Sequence, residues 1–198
     1  MEKKAVLGVI IALLLVSILV SAFSVRPVNS TGTIYIMDDG SVVGTDKIQR
    51  DEDMYTFIDN IHDSIVVLRS NIVIDGAGYA LQGTEAEFSR GIDLTERSNV
   101  TIKNLEIREF WYGIYLDSSS NNSIVRNKLV ENEDHGIRLN ESSSNRIYDN
   151  IIAGNYAGIV LYYSSINGVS GNNLTSNSHG IYLGNSLNNS VTRNNITD

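Results

Sequence analysis

Gly-Ile recurs at 91–92, 113–114, 136–137, 158–159 and 180–181, and two residues after each Ile stands a Leu: Leu94, Leu116, Leu139, Leu161 and Leu183. Eight residues after each Leu comes another aliphatic (Ile102, Ile124, Ile147, Val169, Val191), and five further on a third (Ile107, Leu129, Ile152, Leu174, Ile196). The steps are 22 or 23 residues. Aliphatic columns held in register at this period mean a solenoid, in which each repeat buries its apolar face only by stacking on its neighbours. Within a repeat there is no run of helical i, i+3, i+4 spacing, only short period-two patterns separated by Asn, Gly and Ser. In one coil, Ser144-Asn-Arg-Ile147 opens the first pattern, Asn150-Ile-Ile152 makes the second and Gly158-Ile-Val-Leu161 the third. Three strands per coil of about 22 residues describe a parallel β-helix, and the Leu-x-x-Leu-x-Leu frame of a leucine-rich repeat is missing.

Eleven of the 22 asparagines fall into three columns of the same period. Asn122, Asn145, Asn167 and Asn189 stand two before the first aliphatic, and Asn127, Asn150, Asn172 and Asn194 two before the second. Asn132, Asn155 and Asn177 open the turn before Gly-Ile, and Ser119, Ser142, Ser164 and Ser186 make a fourth column. Stacked about 4.8 Å apart, such side chains can hydrogen-bond up the stack and satisfy turn backbone. Their abundance is therefore weak evidence for a binding site.

The stretch Asn71-Ile-Val-Ile-Asp-Gly-Ala-Gly-Tyr-Ala-Leu-Gln-Gly83, followed by Gly91-Ile-Asp-Leu94 and Ser98-Asn-Val-Thr-Ile-Lys-Asn104, resembles the opening coils of right-handed parallel β-helix proteins. The later Ser-Asn-x-x-Ile…Asn…Gly-Ile-x-Leu coils are similar to the NosD-like, carbohydrate-binding and sugar-hydrolase β-helix repeats of exported archaeal and bacterial proteins. The resemblance covers about residues 55–198. It implies the fold strongly and the function poorly, because these repeats host polysaccharide enzymes, adhesins and a copper-site maturation factor alike.

Residues 1–25 read as a targeting segment: Lys3 and Lys4 precede an apolar stretch broken only by serines, and Val20-Ser21-Ala22 has the small residues of a cleavage site. Cleavage gives a secreted protein. Without it, residues 5–25 approach the roughly 20 needed to span a bilayer and anchor the chain at the cell surface. Residues 26–65 read as a linker and N-terminal cap, and 66–198 as β-helix coils that stop mid-coil. That ending suggests truncation, or self-association at an open C-terminal coil. The net charge of −8 and the lack of a basic cluster beyond Lys3-Lys4 argue against nucleic acid. With no cysteine, disulfides, thiolate metal sites and cysteine nucleophiles are excluded.

The outward positions of the third strand read Tyr112, Tyr115, Asp117; His135, Arg138, Asn140; Ala157, Val160, Tyr162; and His179, Tyr182, Gly184, with Trp111 beside the first row. Aromatic rings next to hydrogen-bonding groups suit a sugar, so Tyr112, Tyr115, His135, Arg138, Tyr162, His179 and Tyr182 are the candidate ligand-binding residues. The plainer reading is an aromatic ladder that only stabilises a sheet face. His62, His135 and His179 are the only histidines; the last two share a column two coils apart, roughly 9–10 Å, and are expected to be solvent-exposed rather than a metal pair. Met1, Met37 and Met54 form no cluster, so no metal or other cofactor is expected apart from a weak case for Ca²⁺.

That case, and the weak case for catalysis, rests on Glu131, Glu133 and Asp134, in the one coil with an extra residue. Asn29 and Asn140 are the better placed of several N-glycan acceptor motifs. The expectation is an exported protein that binds carbohydrate or serves a structural role without catalysis. The alternatives are a polysaccharide hydrolase or lyase, and a NosD-like metal-site maturation factor.

Overall fold

The computed structural model describes residues 32–198. The targeting segment at 1–25 and Asn29 lie outside the described residues. The described chain is all-β, a parallel β-helix of about seven turns. Its strands form three ladders: two eight-stranded sheets and one of six strands. The first sheet holds the Gly-Ile-x-Leu strands Arg90–Asp93, Tyr112–Asp117, His135–Asn140, Ala157–Tyr162 and His179–Gly184. Its register pairs Ile92, Ile114, Ile137, Ile159 and Ile181 in one column. The column continues toward the N-terminus through Ile65 and Ile34, because Thr33–Ile36 pairs in parallel with Ser64–Val67. At that end both long sheets finish in antiparallel pairs, Thr33–Ile36 with Val42–Val43 and Ile48–Asp51 with Met54–Phe57.

The core is the sum of the columns. Ile102, Ile124, Ile147 and Val169 are fully buried, as are Ile107, Leu129, Ile152 and Leu174. Each buried side chain of this size contributes about 1.5–3 kcal/mol relative to exposure. The glycines of Gly-Ile have a steric reason: a Cβ on Gly136 would lie 2.8 Å from the Gly158 carbonyl oxygen of the next coil. Any larger residue there would push successive coils apart.

The asparagine columns form continuous chains of hydrogen bonds. The Asn127 backbone N–H donates to Asn150 Oδ1 at 2.9 Å, and Asn150 N–H to Asn172 Oδ1 at 3.0 Å. Each side-chain amide also donates to a carbonyl of the preceding coil, as Asn150 does to Ile124 and Asn172 to Ile147. The serine column works the same way, with Ser119 N–H donating to Ser142 Oγ and Ser142 N–H to Ser164 Oγ, both at 3.0 Å.

The turns rely on left-handed backbone at equivalent positions, among them Asn99, Asn121, Ser144, Ile166 and Asn188. Asn tolerates that region and a β-branched residue does not. Ile166 sits there at φ 61° while 62% exposed, so it carries strain with little burial to offset it. Ile166→Asn should raise stability by about 1 kcal/mol, seen as an increase of about 2–4 °C in Tm by circular dichroism. An unchanged or lowered Tm would mean that the Ile166 side chain makes a favourable contact outweighing the strain.

Candidate functional site

The sequence-predicted row on the first sheet divides into a packed cluster and an open trough. In the cluster, the Tyr112 ring stacks on His135 with centroids 5.4 Å apart and planes at 19°, and lies 5.4 Å from Tyr115. The Arg90 guanidinium sits 3.8 Å above the Tyr115 ring and is held by Asp93 at 2.6 Å. Tyr115 is therefore buried, which pushes its phenol above the usual range, and it does not line the trough.

His135 is only 8% exposed, which corrects the expectation of a solvent-exposed histidine. The physical reason is the size of its neighbour: Tyr112, on the preceding coil, covers the imidazole. Burial, against the opposing pull of Asp134 at 3.3 Å and with a smaller push from the Arg138 charge, brings its pKa down to about 4. His135 is thus neutral around pH 7, and its Nδ1 is buried without a partner. His179, by contrast, is exposed, with Tyr156 set edge-on at 5.1 Å.

The trough follows from residue size along two columns. One reads Arg90, Tyr112, His135, Ala157, His179, and the other Asp93, Tyr115, Arg138, Val160, Tyr182. The coil at 157–162 contributes the smallest pair, so its surface is sunk between larger neighbours. Two strand spacings, about 9–10 Å, separate the coils on either side. The resulting cavity of about 380 Å³ has Ala157 and Val160 in its lining, with His135, Arg138, Tyr156, Tyr162, His179 and Tyr182 around them. Tyr156 is the residue that sequence reasoning missed. It lies in a turn, yet it occupies the same column position as Trp111, two residues before the Gly.

The extra residue of the longer coil appears as a bulge. Asp134 and His135 both donate backbone hydrogen bonds to the Trp111 carbonyl, at 3.0 and 3.2 Å. Glu131 occupies a left-handed turn position, and it and Glu133 are exposed. Among the described residues no carboxylate lines the trough, and no group of three or more His, Cys, Asp or Glu is arranged to hold a metal ion. Glu131, Glu133 and Asp134 are therefore not assembled into the Ca²⁺ site considered from sequence. Asn140 is half-buried, and its side-chain amide donates to Asp117 Oδ1 at 2.9 Å, so that amide is engaged within the sheet. A second concavity of about 390 Å³ lies among Asn104, Glu106, Arg126, Lys128 and Asp149. There Lys128 is neutralised by Glu106 at 3.0 Å, and the lining holds no aromatic ring.

A parallel β-helix carrying a polar and aromatic trough on one outward sheet defines the class, a β-solenoid. The chain belongs to the family described as periplasmic copper-binding protein (NosD), whose model matches residues 17–198. Membership places it outside the cytoplasm. Among solved structures, a double mutant of the periplasmic alginate epimerase AlgG is similar with a TM-score of 0.58 and 23% identity, over 67% of this chain and 36% of that one. Another AlgG structure has a TM-score of 0.44 and 14% identity, over 67% and 51%. The chain thus spans about a third to a half of the length of these neighbours, and the likeness is one of fold. Comparison with curated proteins gives no match.

The copper of the family description does not fit the residues present. Copper(I) sites use thiolate, thioether and imidazole donors, and this chain has no Cys, three Met and three His. His135 and His179 pair with Ala157 on opposite sides, which sets them two strands apart, whereas metal–imidazole bonds are about 2 Å. Met37 follows the strand Thr33–Ile36, and Met54 opens Met54–Phe57, far along the chain from both histidines. Among the described residues the donor set offers no shared coordination sphere.

Proposed function

We propose that this protein binds carbohydrate in the trough of the first sheet and does not cleave it. The observation that carries the reading is the lining itself. Tyr156, Tyr162 and Tyr182 offer ring faces for sugar C–H groups, Arg138 and His179 supply polar edges, and the floor is apolar. Hydrolysis of a glycosidic bond ordinarily needs two carboxylates flanking it, and the lining contains none, which favours binding over turnover.

A glycan array identifies ligands, and titration of a hit against variants tests the site. Tyr156 and Tyr182 are 53% and 52% exposed, so alanine at both should leave the β-type circular dichroism intact. Each ring is worth about 1 kcal/mol, so the double variant should bind at least tenfold more weakly. Unchanged affinity in a folded double variant would remove the trough as the site. New reducing ends or unsaturated products from a polysaccharide panel would establish catalysis instead.

A further inference from the structure

Four arginines other than Arg138 are half-buried among the described residues, and each has a carboxylate within 4.0 Å. Arg69 meets Asp53 at 2.5 Å, Arg90 meets Asp93 at 2.6 Å, Arg108 meets Glu106 at 3.7 Å, and Arg97 lies 3.9 Å from Asp38 and 4.0 Å from Glu96. Arg138 is the exception: among the described residues no carboxylate comes within 4.0 Å of it, and its Nε, like that of Arg108, is buried without an acceptor. The two acidic groups nearest in register are engaged elsewhere, Asp117 by the Asn140 amide at 2.9 Å and Asp134 facing His135 Nε2 at 3.3 Å. The Tyr112 ring, 5.5 Å from the guanidinium, orients the cation without using its in-plane donors. Arg138 also lines the trough, where nothing acidic repels an incoming anion.

We propose that the trough selects anionic sugars, bearing a carboxylate or a sulfate, and that Arg138 receives the anion; this rests on the carbohydrate reading above. A partly desolvated guanidinium without a counter-ion is unfavourable, and a planar fork of N–H donors matches an oxyanion that supplies the missing charge. A generic basic surface does not explain such selectivity, because the protein carries a net charge of −8. The preference must come from the local geometry around one arginine.

The test uses the full chain and matched oligosaccharide pairs: tetragalacturonate against its carboxyl-reduced counterpart, and a sulfated galactan tetrasaccharide against its desulfated form. The uronate and sulfate arms distinguish the two sources of the anion, and the glycan array extends the same paired design to other linkages. At least one acidic member should bind tenfold or more tightly than its neutral partner. Arg138→Met should erase that difference, and Arg138→Lys, which keeps the charge but not the fork, should lose at least fivefold toward the acid. Equal affinity for acidic and neutral partners, or an acidic preference that survives in a folded Arg138→Met, would overturn the anion inference and leave the carbohydrate reading standing. Should Arg138→Met fail to fold, the wild-type pairs and Arg138→Lys decide the matter. Binding to no member of any pair would overturn both.

Discussion

Ile147→Asp should abolish the folded β-helix. Ile147 is fully buried and pairs in register with Ile124 on one side and Val169 on the other. Truncating such a side chain costs about 2–5 kcal/mol from lost transfer and the cavity left behind. A carboxyl group in the same place has no hydrogen-bond partner, and either its burial or its forced protonation costs several kcal/mol more. The sum rivals the about 5–15 kcal/mol that holds an ordinary domain together. Because each coil is stabilised mainly by its neighbours, one disrupted coil also uncouples the coils on both sides. The expected observation is loss of the β-type circular dichroism and of any cooperative melt. Ile147→Val, which copies the residue already found at 169, should cost only about 0.5–1.5 kcal/mol. An aspartate variant that melts within a few degrees of wild type would show that position 147 does not face the core.

The inward column at 147 was legible in the sequence because two simple rules act together there. Alternation along a strand separates the two faces of the sheet, and a constant coil length places equivalent residues over one another. Both rules fail where the coil length changes. Ile65 and Ile92 lie in one column but are 27 residues apart, so no period links them, and the strands near the N-terminus take their places through pairing that only the structure shows. Alternation also gives direction without depth. It put His135 on the outer face, correctly, and could not tell that Tyr112 would cover it. The trough escaped a reading by residue type for a related reason. It exists because Ala157 and Val160 are smaller than their neighbours above and below, a contrast between coils rather than a motif within one. The missing counter-ion of Arg138 is likewise a matter of distances, since Asp134 and Glu141 both stand close to it in sequence.

Asn150→Ala should be costly out of proportion to the size of the group removed. The Asn150 side chain takes part in five hydrogen bonds. Its Oδ1 accepts from the backbone N–H and the side-chain amide of Asn127, at 2.9 and 3.2 Å. Its Nδ2 donates to the Ile124 and Tyr148 carbonyls and to Asn172 Oδ1, at 2.9, 3.1 and 2.9 Å. Nearly all of this lies out of water, for Asn127, Asn150 and Asn172 are all buried. A buried donor or acceptor left without a partner costs about 1–3 kcal/mol. Alanine at 150 strands the Asn127 N–H and strips the Ile124 carbonyl and the Asn172 amide oxygen of one donor each. A loss of about 3–5 kcal/mol is expected, read as a lower denaturant midpoint with an unchanged slope. Asn195 provides the internal control: its side chain donates one bond, to Asn173 at 2.8 Å, in an exposed setting where water replaces it. Asn195→Ala should therefore stay within about 0.5 kcal/mol of wild type. Equal effects at the two positions would show that the columns are not a buried network, and that their regularity reflects turn preference alone.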